Sequence, residues 1–310
     1  MGFFQSSIRS KTHQSSTLKL LLLVFSLVFL LLFILRSNLS SPLSPSSPSS
    51  SSKLSSSSTS VQSSSSPLEA SSSSPSPTLC KPSSSCTKLP EAIVQSLIHY
   101  ATSNTTPQQT IKEISITSSV LLQKSPCNFL IFGLGHDSLL WSSLNYNGRT
   151  VFLEEDKAWI QQITQKIPNL EAYHLQYTTR VSEADELLKY GETEECRRVQ
   201  NPRDSDCRLS IKGMPDELYE VNWDLIMVDA PTGYFSGAPG RMTAIYTAGM
   251  IARSRRDGGE TDVFVHDCDR PVEDKYSMSF LCEGYMKNAE GRLRHFLIPS
   301  QLSNPGSFCP

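Results

Sequence analysis

The sequence predicts an α/β domain built on a mostly parallel, doubly wound sheet. Short apolar runs of strand length alternate with helix-length segments from about residue 128 onward. Such alternation is typical of parallel strands whose sheet is covered by helices on both faces. The chain has 310 residues, and the part after residue 89 suits one domain with a good core better than two small ones.

Each predicted element follows from its local pattern. A helix is predicted over 90–100, where apolar residues recur at helical spacing. Apolar runs bounded by turn residues predict strands over 128–132, 150–153, 173–178, 224–228, 261–265 and 293–298. The segments between them predict helices over 138–144, 157–166, 182–190, 240–253 and 273–285. Residues 191–215 are polar, contain two cysteines and predict a loop insertion.

The N-terminal third predicts a membrane anchor and a stalk. An apolar run interrupted only by Ser26 predicts a transmembrane signal anchor over 18–36, and a cleaved signal peptide is the alternative. Basic residues before the run place a tail, 1–17, in the cytosol. Ser and Pro dominate the lumenal stalk, 37–89, which precedes the domain at 90–310. The short span favours the Golgi, so we expect a single-pass type II Golgi membrane protein with a lumenal domain.

Eight cysteines are compatible with disulfides in an oxidising lumen. The pairs Cys80–Cys86 and Cys196–Cys207 bracket short polar loops and are the predicted bridges. Zinc is the alternative, although the chain has no paired C-x-x-C motif. The net charge of −2 is spread over interspersed acids and bases, which disfavours a nucleic-acid partner.

Two glycines and an acid predict a cofactor site. Gly133 and Gly135 follow the first strand, where a glycine turn lets the backbone approach a ligand. Glu154, followed by Glu155, ends the next strand about twenty residues on, where a carboxylate can accept the ribose hydroxyls of a nucleoside cofactor. The third glycine of a pyrophosphate site is missing, which favours S-adenosylmethionine. A tight turn without a ligand is the alternative.

The later strands end in residues that can carry chemistry. Asp229 ends one strand, and His266 and Asp267 end another. Carboxyl ends of parallel strands meet at one edge of a sheet, so the three are expected to share a site. His266 suits the base that deprotonates a hydroxyl during methyl transfer, or the trio could hold a divalent metal ion. Helix caps and loop anchors are the structural alternative.

A Gly/Pro-rich loop over 230–241 leaves the strand end that carries Asp229 and is interpreted as a substrate loop. Tyr234 could stack on a sugar face, and Arg241 and Arg270 could each bind a carboxylate. A surface turn with an arginine ion pair is the alternative.

Three stretches together resemble the plant glucuronoxylan 4-O-methyltransferases, over about Pro90 to Pro299 and in the same order and spacing. They read FLIFGLGHDSLLWSSLNYNGRTVFLEED, WDLIMVDAPTGYFSGAPGRMTAIYTAGMIARSR and GGETDVFVHDCDRPVEDKYSMSFLCEGYMKNAEGRLRHFLIP. The resemblance implies a Rossmann-like class I methyltransferase fold and a Golgi enzyme of secondary cell wall biosynthesis. It implies methyl transfer from S-adenosylmethionine to O-4 of glucuronic acid on xylan. It also implies cofactor binding at the glycine turn and chemistry near the trio, while Cys268 departs from the aliphatic residue expected there.

Other functions remain open at this point. The related irregular-xylem-type proteins suggest a non-catalytic role in xylan assembly, and association with other xylan-synthesising enzymes is an expectation of either role. Glucuronic acid on arabinogalactan is an alternative acceptor. A nicotinamide-dependent sugar oxidoreductase is disfavoured by the absent third glycine.

Overall fold

One seven-stranded sheet organises the computed structural model, which describes residues 89–302 and 306–310. The strands are β1 (Asn128–Phe132), β2 (Arg149–Glu154), β3 (Glu171–His174), β4 (Leu225–Val228), β5 (Glu260–Val265), β6 (Met286–Glu290) and β7 (Leu293–Pro299). Their order across the sheet is β3-β2-β1-β4-β5-β7-β6. The first five strands are parallel, and β7 is antiparallel to both β5 and β6. The predicted α/β fold with a mostly parallel sheet is confirmed.

The helices cover both faces of this sheet. They are α1 (Glu91–Thr102), α2 (Ile111–Lys124), α3 (Ser138–Leu144), α4 (Lys157–Lys166), α5 (Ala184–Tyr190), α6 (Glu194–Arg197), α7 (Met242–Arg253) and α8 (Pro271–Tyr276). Alternate side chains of β1 enter different cores: Leu130 and Phe132 enter the one that contains α7, and Phe129 and Ile131 the other. A strand buried on both faces reads as a continuous apolar run, which is why β1 was predictable.

Three elements differ most from the sequence predictions. Helix α2 was missed because its serines and β-branched residues lower helix propensity, although Thr110 and Glu113 form a capping box at its start. The predicted helix over 273–285 is divided into α8, a π-helical turn (Ser277–Cys282) and a 3₁₀ turn (Glu283–Tyr285). Strand β6 was missed because it is a partly exposed edge strand with little apolar character.

Two disulfides lie in the described residues. The predicted Cys196–Cys207 bridge is present, with Cα atoms 4.9 Å apart inside the predicted loop insertion. A second bridge, Cys282–Cys309, was not predicted and attaches the C-terminal tail to the π-helical turn. There the carbonyl of Phe308 accepts two hydrogen bonds from the fully buried Arg253. The predicted Cys80–Cys86 pair lies outside the described residues.

Replacing both Cys282 and Cys309 by serine is expected to lower the free energy of unfolding by about 3 kcal/mol. The bridge closes 27 residues, and it holds the tail against Arg253. Urea unfolding under non-reducing conditions measures the difference, with Cys127→Ser, a free cysteine, as the control. Equal stabilities of the double variant and the control would show that the bridge does not stabilise the domain.

The predicted cytosolic tail, signal anchor and all but the last residue of the stalk fall on residues 1–88, which are outside the described part of the chain. Within the described ranges, no helix combines the length and apolar character needed to cross a bilayer.

Candidate active site

The carboxyl ends of β1, β4 and β5 are joined at one edge of the sheet. The N–H of Gly133 donates to the carbonyl of Leu153, near the end of β2, at 2.7 Å, and the N–H of Asp229 donates to the carbonyl of Phe132, at the end of β1, at 2.9 Å. The N–H of His266 donates to the end of β4 at 3.1 Å. The glycine turn and the strand-end residues predicted from sequence therefore lie at the same edge, as the parallel order requires.

The glycine turn needs its first glycine for two reasons. Gly133 has φ +122°, which residues with side chains rarely adopt. A Cβ there would also lie 3.3 Å from the Cβ of Ala230, on the segment leaving β4. A side chain at Gly135 is disfavoured by a different contact, because a Cβ there would lie 2.8 Å from Oδ1 of Asp137. Gly133 lets the turn pack closely against the segment that follows β4, and Gly135 leaves room for the Asp137 side chain.

Glu154 ties the glycine turn to the end of β2. Its Oε2 accepts the N–H of Leu134 and its Oε1 accepts the N–H of Asp156, both at 3.0 Å. Burial raises the pKa of this carboxyl. Each carboxylate oxygen retains capacity for another hydrogen bond, as the predicted ribose contact requires. Glu155, also predicted to bind cofactor, instead accepts from the N–H and the hydroxyl of Thr232, at 3.0 and 2.6 Å.

Two buried hydroxyls beyond β3 were not predicted as site residues. The Tyr177 Oη and the Thr179 Oγ1 are buried and have no hydrogen-bond partner among the described residues. Burial raises the pKa of Tyr177 well above its usual value, and the charges of Glu154 and Glu155 add to the increase. Unpaired buried hydroxyls are costly. The unpaired hydroxyl of Tyr177 therefore fits a polar ligand such as a nucleoside at this position.

The predicted trio forms a compact cluster. Nδ1 of His266 lies 3.0 Å from Oδ1 of Asp229 and 3.5 Å from Oδ1 of Asp267, and one ligand atom from each residue falls within 4.8 Å of the others. Asp267 reaches this position with φ 60°, an uncommon conformation for a residue with a side chain. Two carboxylates and an imidazole fit a hard divalent ion.

Solvent reaches the three side chains unequally. The Asp229 side chain is 19% exposed, whereas those of His266 and Asp267 are 0% and 4% exposed. His266 contacts Asp229 from within the protein, and its Nε2 has no hydrogen-bond partner in the described residues. The geometry therefore favours Asp229 over His266 as the group that an acceptor hydroxyl can reach.

Arg241 lies inside this cluster and is 4% exposed. Its guanidinium is 3.3 Å from Oδ1 of Asp229 and 2.9 Å from Oδ2 of Asp267. It also donates to the carbonyls of Pro231 and His266, at 3.1 and 3.0 Å. These contacts do not fit the predicted contact between Arg241 and a substrate carboxylate, because the guanidinium is buried and faces protein oxygens.

Arg270 fits the predicted substrate contact better. Its side chain is 28% exposed, with one nitrogen 2.7 Å from Oδ2 of Asp267 and another donating to the Thr232 carbonyl at 3.2 Å. Oδ1 of Asp267 pairs with Arg292 at 2.7 Å. A metal ion bound by the trio would therefore compete with arginines for both oxygens of Asp267.

Three residues of the cluster come from distant segments and were missed. Nε2 of Gln109 donates to Oδ2 of Asp229 at 3.3 Å. The carboxylate of Glu113 accepts the N–H of Arg292 at 2.6 Å and lies 4.0 Å from Nε2 of His266. The capping box at Thr110 and Glu113 was the only local signal, and it indicates a helix start rather than a site.

The surroundings hold Asp229 ionised. Burial by itself raises the pKa of Asp229, but the hydrogen bond with His266 and the charge of Arg241 outweigh it, so the net pKa is lowered. Burial raises the pKa of the neighbouring Glu273, with Arg241 opposing the increase. Burial also raises the pKa of the Cys268 thiol to about 12, which makes this cysteine inert.

Comparisons with known proteins show which chains this one is similar to. Glucuronoxylan 4-O-methyltransferase 1 of Arabidopsis thaliana is 63% identical over 233 residues, which cover 74% of this chain and 83% of that protein. Glucuronoxylan 4-O-methyltransferase 3 of the same plant is 52% identical over 305 residues, covering 98% of both chains. Arabinogalactan O-methyltransferase 1 of Arabidopsis thaliana is 49% identical over 214 residues, covering 68% of this chain and 74% of that protein.

A family model for IRX15/IRX15L/GXM matches residues 112–296, a range that contains the glycine turn, Glu154 and the polar trio. That range is more than half of the chain. With relatives of this identity and coverage, it shows that the chain belongs to the IRX15/IRX15L/GXM family.

Proposed function

We propose that this chain transfers a methyl group from S-adenosylmethionine to O-4 of glucuronic acid side chains on glucuronoxylan, in the Golgi lumen. The names of the relatives at 63% and 52% identity support glucuronoxylan as the acceptor. The observation that carries the proposal is the placement of Glu154 and Asp229 beside one glycine turn, at the same edge of the sheet. A cofactor residue and an ionised, accessible acid then face one ligand-binding edge.

The cofactor would be held by the turn at Gly133–Gly135, by Glu154 and by the unpaired hydroxyl of Tyr177. When bound, S-adenosylmethionine supplies an electrophilic methyl group on a sulfonium. Glu154 would accept hydrogen bonds from the ribose hydroxyls with its remaining capacity, and Tyr177 would gain a partner that it lacks within the described residues.

Asp229 would accept the proton of the 4-hydroxyl as that oxygen bonds to the methyl carbon and the sulfur–methyl bond breaks, which leaves S-adenosylhomocysteine. His266 orients Asp229 from behind, since its Nδ1 lies 3.0 Å from the carboxylate, and Arg241 keeps Asp229 ionised. Arg270 is exposed enough to pair with the carboxylate of glucuronic acid. In the alternative mechanism, Asp229, His266 and Asp267 hold a divalent ion that lowers the pKa of the hydroxyl.

A labelled methyl donor tests the function and the acceptor together. The purified chain is incubated with donor and either unmethylated glucuronoxylan or arabinogalactan, and the uronic acids are separated after hydrolysis. We expect label in 4-O-methylglucuronic acid from xylan. Label in the uronic acids of arabinogalactan alone would show that glucuronoxylan is not the acceptor. Donor binding without transfer to either polymer would favour a non-catalytic role in xylan assembly.

Glu154→Gln is expected to weaken S-adenosylmethionine binding about tenfold or more, because a hydrogen bond to a charged group contributes roughly 1.5–3 kcal/mol. Isothermal titration calorimetry measures the change. Glu155→Gln is the matched control, since the Glu155 carboxylate holds Thr232. An unchanged dissociation constant for Glu154→Gln would remove this residue from the cofactor site.

A further inference from the structure

The loop between β4 and α7 presents two adjacent aromatic rings to solvent. Tyr234 is 71% exposed and Phe235 is 51% exposed. Their ring centroids lie 5.1 Å apart, in an edge-to-face arrangement. Single exposed apolar residues are ordinary, but neighbouring large rings at the rim of a site indicate a binding surface. We call these two residues the aromatic pair.

The loop that carries the aromatic pair is firmly held. Across its base, the N–H of Gly233 donates to the carbonyl of Pro239 at 3.0 Å, and within it the N–H of Ala238 donates to the carbonyl of Phe235 at 2.9 Å. Thr232 is fixed by Glu155. An ordered loop that displays apolar rings loses little conformational entropy when a ligand binds them.

The segment that precedes α5 supports the far side of the same loop. The N–H groups of Val181 and Ser182 donate to loop carbonyls at 3.0 and 2.9 Å. The guanidinium of Arg180 donates to the Gly237 carbonyl at 2.6 Å. The rings therefore stay exposed on a loop that is braced from both sides, rather than folding into the core.

Both ends of the loop are part of the candidate active site. Asp229 precedes the loop and Arg241 is its last residue, and the two side chains approach to 3.3 Å. Tyr234 is five residues beyond Asp229, a separation of at most roughly 17 Å even for an extended chain. The aromatic pair thus lies within a few sugar rings of the residue that would accept the hydroxyl proton.

Two arginines flank the aromatic pair. Arg180 is exposed on one flank of the loop and Arg270 is partly exposed on the other, where it donates to the carbonyl of Thr232. A polysaccharide that carries uronic acids offers both carboxylates for the arginines and flat faces of C–H groups for the rings. Both features match one kind of occupant.

We propose that the aromatic pair binds sugar rings of the acceptor polymer next to the glucuronic acid that is methylated. This inference rests on the proposed function. It adds a reason for the enzyme to prefer a long acceptor polysaccharide to a short oligosaccharide. The pair contacts neighbouring sugars rather than the reacting one, so its contribution depends on acceptor length.

Kinetics with two acceptors test this role. Phe235→Ala is expected to raise KM for glucuronoxylan about tenfold, the equivalent of about 1.4 kcal/mol. KM should change much less for a short xylo-oligosaccharide that carries one glucuronic acid. Phe235→Tyr should restore the wild-type KM for the polymer. Tyr146→Ala is the control, because Tyr146 is also exposed but precedes β2, at the opposite edge of the sheet.

Equal KM values for Phe235→Ala and wild type on the polymer would overturn the inference. So would equal increases on both acceptors, which would place Phe235 against the reacting sugar. Electrophoresis through gels containing glucuronoxylan separates this inference from the proposed function, because it measures polymer binding without methyl transfer. If Phe235→Ala is no longer retarded by the polymer while Tyr146→Ala still is, the aromatic pair binds the polymer, even when no methyl transfer is detected. If Phe235→Ala is retarded like the wild type, the inference is wrong.

Discussion

Asp229→Asn is expected to lower kcat for methyl transfer to glucuronoxylan about a thousandfold, within the range of general-base contributions. Asparagine matches the size of aspartate and keeps one oxygen near His266, but it cannot take up the hydroxyl proton. If Asp229 is instead a metal ligand, the same substitution removes its anionic oxygen, so a large loss is expected in either mechanism. Transfer of labelled methyl to the polymer, at saturating donor and acceptor, measures kcat.

Two controls accompany the Asp229 experiment. Asp185→Asn changes an exposed acid that pairs with Lys275 and should leave kcat unaltered. Thermal unfolding of each variant establishes that the domain is folded under the assay conditions. A folded Asp229→Asn protein with wild-type kcat would exclude Asp229 from the chemistry, and His266 would have to be reconsidered as the base.

Arg241→Met is expected to lower the free energy of unfolding by about 3–5 kcal/mol, because it leaves buried acids without their partner. The guanidinium of Arg241 lies within 4 Å of Asp229, Asp267 and Glu273. Methionine fills a similar volume, so the loss reports the uncompensated charge rather than a cavity. Urea unfolding followed by tryptophan fluorescence measures the change.

The matched control for Arg241→Met is Arg208→Met. Arg208 also pairs with an acid, Glu186, at 3.4 Å, but both side chains are exposed, so the expected loss is at most about 1 kcal/mol. Arg241→Met could instead have wild-type stability and a raised KM for the acidic polymer. That result would contradict the role of Arg241 as the buried partner of the three acids. It would favour the substrate contact that the sequence predicted.

The elements that the sequence predicted well are those whose identity depends on local pattern. Strand β1 and helices α3 and α4 have the predicted bounds, because the apolar run and the helical spacing extend over the whole element. The predicted strand over 173–178 is shorter and shifted, as β3 is Glu171–His174. It lies at a sheet edge, where one neighbouring strand provides less constraint on its ends.

The sequence by itself determined where β1, β2, β4 and β5 end, and parallel order then required that Gly133, Glu154, Asp229 and His266 lie at one edge of the sheet. Only the tertiary structure decided which of these side chains is accessible and which is covered. Asp229 is the most accessible residue of the trio, since Glu113 lies beside the buried His266 and Arg292 pairs with the buried Asp267. Glu113 and Arg292 come from segments more than a hundred residues apart in the chain. Burial and ion pairing between such segments leave no periodic trace in the chain.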